Sequence, residues 1–142
     1  MIAQKFIDCF QKFVDEGKIV INGFSDRTDE DGKTDKDKIL AAMQRAYVVS
    51  PTARNMFDRW FSANNANIIS IKYRKGTALA HPNQGEVEID LDYIDSLGFI
   101  DNNGTARQVT LDMVIVHELV HALTGRLDYS GNSGDSIVIE RM

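Results

Sequence analysis

The sequence predicts an α+β domain. Apolar residues recur at helical spacing through the N-terminal part of the chain, alternate with polar ones after Asn67, and return to an unbroken helical stretch between Leu111 and Leu123. A chain of 142 residues is long enough for a real core, since domains of this size bury roughly 68% of the surface their unfolded chains expose. With no internal repeat, no low-complexity tract and only two prolines, nothing divides it, and residues 1–142 read as a single domain.

Composition narrows the function classes. Hydrophobic residues at 43% and charged residues at 26% are ordinary for a globular protein. Charge interrupts every apolar stretch well before the ~18 residues that a membrane span needs. The net charge of -5, from 21 acidic against 16 basic residues with no basic cluster, argues against nucleic acid and anionic membranes as partners. A monomer is expected. Asp8 interrupts the opening "MIAQKFIDCF" where a secretory signal would need to be apolar. The expected location is therefore the cytoplasm of the producing cell, with export by a specialised secretion system as the alternative. Cys9 is the only cysteine and reads as a small buried hydrophobe.

The elements follow in order. Ile2, Phe6, Cys9, Phe10 and Phe13 mark an amphipathic helix that stops at Gly17, and "KIVING" then reads as a short strand. Ser25 to Asp37 is a polar, glycine-broken loop. A calcium loop with Gly32 at its sixth place would put Arg27 and Lys38 at the first and last ligand positions, where carboxylates are required. A second helix is expected from about Asp37 to Tyr47. A third follows, with Ser50 as N-cap, Pro51 at the first helical position, and Phe57, Trp60 and Phe61 in the core.

"IISIKYR" and "GEVEIDLDYI" read as two strands whose connection, with Gly76, Pro82 and Gly85, can close a hairpin. In the second, Val87, Ile89, Leu91 and Tyr93 alternate with Glu86, Glu88, Asp90 and Asp92, giving one apolar and one acidic face. That acidic face is either a solvated outer surface or an edge beside a cleft that favours basic substrates. His81 reads as a surface or turn histidine, with substrate contact as the alternative role. "NGT" at Asn103 reads as a turn.

The sharpest signal is "VIVHELVHALTG", residues 114–125. Thr110 reads as an N-cap and Gly125 as a stop, so His117 and His121 fall four apart on one helix, about 40° from each other around its axis. Both imidazoles can then reach one ion. Zinc binds neutral imidazole nitrogens and leaves a position for water when it is catalytic, and Glu118, turned aside but close, can take that water's proton. The competing account is a buried helix with incidental histidines. Against it, the stretch is apolar all round except at these three residues, which is expensive unless they have partners.

"HELVHALTG" resembles the active-site helix of the zincin metallopeptidases, and its wording is similar to that of clostridial neurotoxin light chains and bacterial type III effector zinc peptidases. The similarity covers about residues 109 to 142, a quarter of the chain. It implies backing helices packed on a small, twisted, mostly parallel sheet with an antiparallel edge strand, and the motif helix beneath it. It also implies that His117 and His121 are zinc ligands and that Glu118 is the general base.

For the third ligand the resemblance favours Glu140, with Asp128, Asp135, or water or another group as the alternatives. Gluzincins take a glutamate from a following helix, and Glu140, 19 residues past His121 and the only glutamate after the motif, fits that interval. The expected helix is "IVIER", capped by Ser136 or Asp135. Asp128 falls one residue beyond the metzincin position, and Asp135 fits neither pattern. The resemblance departs in one respect, because many gluzincins carry an orienting aspartate four residues past that glutamate and this sequence ends at Met142. The expectation is either a trimmed zincin domain or a minimal one. Tyr129, the nearest tyrosine after the motif, is a candidate oxyanion stabiliser in competition with an ordinary turn role.

The expected function is a zinc-dependent endopeptidase whose Glu118 activates a zinc-bound water, with peptide or protein substrate bound along "EVEIDLDY" as an added strand. The alternatives are a catalytically silent zincin-like domain with structural zinc and a partner on the sheet edge, and an interaction domain without metal.

Overall fold

Phe6, Phe10 and Phe13 fall on one stripe of the first helix, α1 (Ile2–Asp15), and meet Tyr47, Phe57 and Phe61 in an aromatic cluster with ring centroids 4.5 to 6.3 Å apart. The computed structural model describes residues 2–126 and 138–140. Gly17, left-handed at φ 74°, ends the helix and turns the chain into β1 (Ile19–Asn22). Cys9 packs against the core but is half-buried, less enclosed than expected.

The polar stretch after β1 is organised by side chains. Asp29 accepts from the amides of Asp31 and Lys33, and Arg27 bridges Asp35 to Asp92. The next helix, α2 (Asp35–Val49), starts two residues before the expected position because Thr34 and Asp37 form a reciprocal capping box. Ser50 closes α2, its amide donating to Ala46, and opens α3 (Pro51–Ala63), its hydroxyl accepting from the Ala53 amide. Phe57 and Phe61 are buried; Trp60 is half-buried and donates its indole N–H to the Ile68 carbonyl.

The central sheet has the order β1, β2, β4, β3, with β2 (Ile69–Tyr73), β3 (Ala78–His81) and β4 (Glu86–Ile89). β1, β2 and β4 run parallel, and β3 is an antiparallel edge strand on β4. The expected hairpin between "IISIKYR" and "GEVEIDLDYI" is therefore corrected. These two strands are parallel neighbours, and the stretch between them contains β3, which supplies the reversal. The second strand is also shorter than expected. It stops at Ile89, because the Asp90 carboxylate caps a one-turn helix, α4 (Leu91–Asp95), and also accepts from the Gly76 amide.

Alternate residues of the sheet are buried, namely Ile19, Ile21, Ile69, Ile71, Val87 and Ile89, so the helices cover one face. The other carries Lys72, Arg74, Glu86 and Glu88 in opposite-charge pairs, Lys72 on Glu86 at 2.7 Å and Arg74 on Glu88 at 3.2 Å. Two expectations fall with this arrangement: the face of β4 is charge-balanced rather than acidic, and β4 is interior rather than an edge. Lys72 holds the Glu86 carboxyl below the usual carboxylate range.

The motif lies on α5 (Leu111–Thr124), packed against α2, α3, β3 and β4. Its Ile115, Leu119 and Ala122 are fully buried, which contributes about 1.5–3 kcal/mol for each of the two large side chains. A second, antiparallel sheet joins β5 (Leu97–Ile100) to β6 (Ala106–Gln108) on one side and β7 (Val138–Glu140) on the other. The β5–β6 turn holds Asn103, with the Asp101 carboxylate accepting from the amides of Asn103 and Thr105. The helix expected at "IVIER" is a strand over Val138–Glu140. Its β-branched residues favour an extended backbone, and β5 offers an edge to pair with. Among the described residues no helix is long and apolar enough to cross a membrane.

Candidate metal centre

The motif helix is fixed at both ends by groups that are not metal ligands. At its start the Thr110 hydroxyl accepts from the Met113 amide at 3.2 Å, and Arg45 of α2 donates to both oxygens of Asp112 at 2.8 and 2.7 Å. The Asp112 carboxylate complements the positive helix end and raises the Arg45 pKa. At its end Gly125, left-handed at φ 74°, donates to the His121 carbonyl at 3.0 Å. The loop after β3 adds two more bonds, from the amides of Asn83 and Gly85 to the carbonyls of His121 and Ala122 at 3.1 and 3.0 Å.

On this helix the three expected residues come together. The Nε2 atoms of His117 and His121 lie 3.2 Å apart, and one Glu118 carboxylate oxygen lies within 4.8 Å of both rings' donor atoms. Two ligands about 2.0–2.1 Å from a tetrahedral zinc are separated by about 3.3 Å, so the histidine spacing fits that ion. His121 Nδ1 makes a short contact with the Arg126 carbonyl oxygen. A carbonyl only accepts, so the contact suits a proton on Nδ1, an arrangement that would leave the Nε2 lone pair for a metal. Glu118 is 8% exposed while His117 is exposed, so the carboxylate sits at the base of the site and the imidazole at its rim.

The three residues border a cleft of about 540 Å³. The edge strand lines it through Ala78, Leu79 and Ala80, and Tyr93, Leu97, Phe99 and Met113 add an apolar wall. The edge beside the motif is therefore β3 and not "EVEIDLDY". The sequence reading missed both walls, because β3 was hidden in a stretch containing glycine and proline and no alternating pattern marked β5. Tyr93, assigned to a strand by its alternation, instead lies on α4 and lines the cleft. Of the other expected residues, Asp128, Tyr129 and Asp135 lie outside the described residues. Glu140 has a described backbone in β7, opposite Leu97, while its side chain also lies outside them.

Comparison of the chain with protein-family models, curated proteins and solved structures finds no match.

Proposed function

We propose that the protein is a zinc-dependent endopeptidase of zincin type, with His117, His121 and Glu140 as metal ligands and Glu118 as proton shuttle. The supporting observation is the histidine pair at 3.2 Å, with the Glu118 carboxylate alongside at the edge of an open cleft. When bound, zinc would supply a Lewis acid for the scissile carbonyl and bring the pKa of a water towards ~7.

The chain's own groups then do the rest. Glu118, close to both imidazoles without being needed as a ligand, takes the proton of the attacking water and returns it to the leaving amine. β3 presents a strand edge along the cleft, and an extended peptide pairing there would lie across the histidines. The apolar wall excludes water from one side of the site and receives a substrate side chain. An antiparallel edge strand on a mostly parallel sheet, with the motif helix packed against it, is the arrangement that the zincin resemblance implies.

The test is cleavage of an unfolded protein substrate by purified protein, with and without a chelator. The expected result is cleavage that stops on chelation and returns with added zinc. Cleavage that survives metal removal would overturn the reading, and bound zinc without any cleavage would favour the silent, partner-binding alternative.

A further inference from the structure

On the sheet face turned away from the helices, three half-buried side chains converge. His81 ends β3, and the antiparallel register sets it opposite Glu86 of β4, with Glu88 two residues on along the same face. His81 Nε2 lies 3.1 Å from Glu86 Oε2 and 3.7 Å from Glu88 Oε1. These two oxygens are not the ones used by the neighbouring cations. Lys72 takes Glu86 Oε1 and Arg74 takes Glu88 Oε2, so each carboxylate turns its second oxygen towards the histidine. Nε2 itself is shielded from solvent and makes no hydrogen bond among the described residues, although both oxygens are near.

We propose that His81 Nε2, Glu86 Oε2 and Glu88 Oε1 form a second divalent-metal site, separate from the motif helix and suited to zinc. The donor separations of 3.1 and 3.7 Å bracket the spacing of about 3.3 Å expected between ligands of a tetrahedral zinc. One imidazole and two carboxylates are a donor set that zinc accepts, and neither ion pair need break for it to bind. Lys72 and Arg74 offset the charge of the carboxylates, which makes this site weaker than one whose carboxylates have no such partners.

The site also has a structural consequence. A metal there would tie the edge strand β3 to β4, and the loop that follows His81 is the one whose Asn83 and Gly85 amides hold the last turn of the motif helix. Occupancy would stiffen the wall of the cleft from behind.

The experiment is calorimetric titration of Zn2+ into chelator-stripped protein carrying His117→Ala and His121→Ala, which removes the motif pair but leaves the sheet untouched. The expected result is one remaining equivalent of zinc. Adding His81→Ala, or separately Glu88→Gln, should weaken it on the order of 100-fold. Circular dichroism of each variant confirms that it is folded. If the double variant binds no zinc, or if its zinc is indifferent to both further substitutions, the outer site is wrong and His81 merely pairs with its carboxylates. Neither result bears on the motif histidines, which are tested by cleavage and by their own zinc.

Discussion

Gly85 lies so close to Trp60 that a Cβ on it would stand 2.5 Å from the indole Cζ2 and equally close to the Ile68 carbonyl oxygen. Its φ of 69° is also one that side chains other than glycine's rarely adopt. The same residue donates its amide to the Ala122 carbonyl, so the strain of any side chain would reach the last turn of the motif helix. Gly85→Ala should cost about 2–4 kcal/mol, from overpacking and backbone strain together. Gly76, at φ 70° with nothing near its missing Cβ, provides the comparison, since Gly76→Ala should cost only about 1 kcal/mol. Thermal melts of both variants check this, and equal losses would show that the Trp60 contact contributes nothing.

Glu118→Gln keeps the size and burial of the side chain but cannot take a proton. Zinc content should be unchanged while kcat falls by on the order of 10²–10⁴. His117→Ala should lose both zinc affinity and activity. Measuring zinc and turnover on the same preparations separates the roles, and full turnover by Glu118→Gln would remove it from the mechanism.

The motif helix was legible almost to the residue because its signals are local: Thr110 caps it, Gly125 stops it and nothing between breaks it. The first three helices were legible for the same reason. Sheet order was not. Whether "IISIKYR" and "GEVEIDLDYI" pair parallel or antiparallel depends on whether the chain between them crosses or pairs, and Ala78 to His81 carry too little alternation to declare themselves a strand. The last segment misled by spacing. The interval to Glu140 suggested a helix, whereas Val138 and Ile139 have the β-branched side chains of a strand, and pairing with β5 is a long-range event that no local pattern announces. The acidic look of β4 misled too, because its partners Lys72 and Arg74 come from β2 and the residue that follows it.

Acid should destabilise the fold through particular carboxylates. The Asp92 carboxyl is held below its ordinary value of 3.8 chiefly by its hydrogen bonds to Arg27, Asp37 by the Thr34 amide, and Asp101 by Arg107. A carboxylate whose folded pKa is lowered contributes stability that is present above its unfolded pKa and lost as pH falls through the folded one. The urea midpoint of metal-free protein should thus be level from pH 7 to about 5 and fall below about 4. Asp92→Asn should make that fall shallower. An unchanged acid profile would mean that the pairing with Arg27 contributes no pH dependence.

The remaining ligand of the motif site can be assigned by substitution. Glu140 sits in register with Leu97, and Leu97 lines the cleft that the motif histidines border, so β7 brings the backbone at 140 to that wall. A carboxylate ligand would also offset the charge of the dication beside two neutral imidazoles. Zinc affinity at the motif site should therefore fall on the order of 100-fold in Glu140→Ala and stay near the parent value in Asp128→Ala and Asp135→Ala. The measurement is best made with His81→Ala in the background, so that zinc held on the outer face of the sheet does not mask the loss. Circular dichroism should show the central sheet intact in all three, because β7 pairs with β5 and not with any of its strands. A loss confined to Asp128→Ala would move the ligand to the turn after the motif helix, and equal affinity in all three would remove every downstream carboxylate from the site.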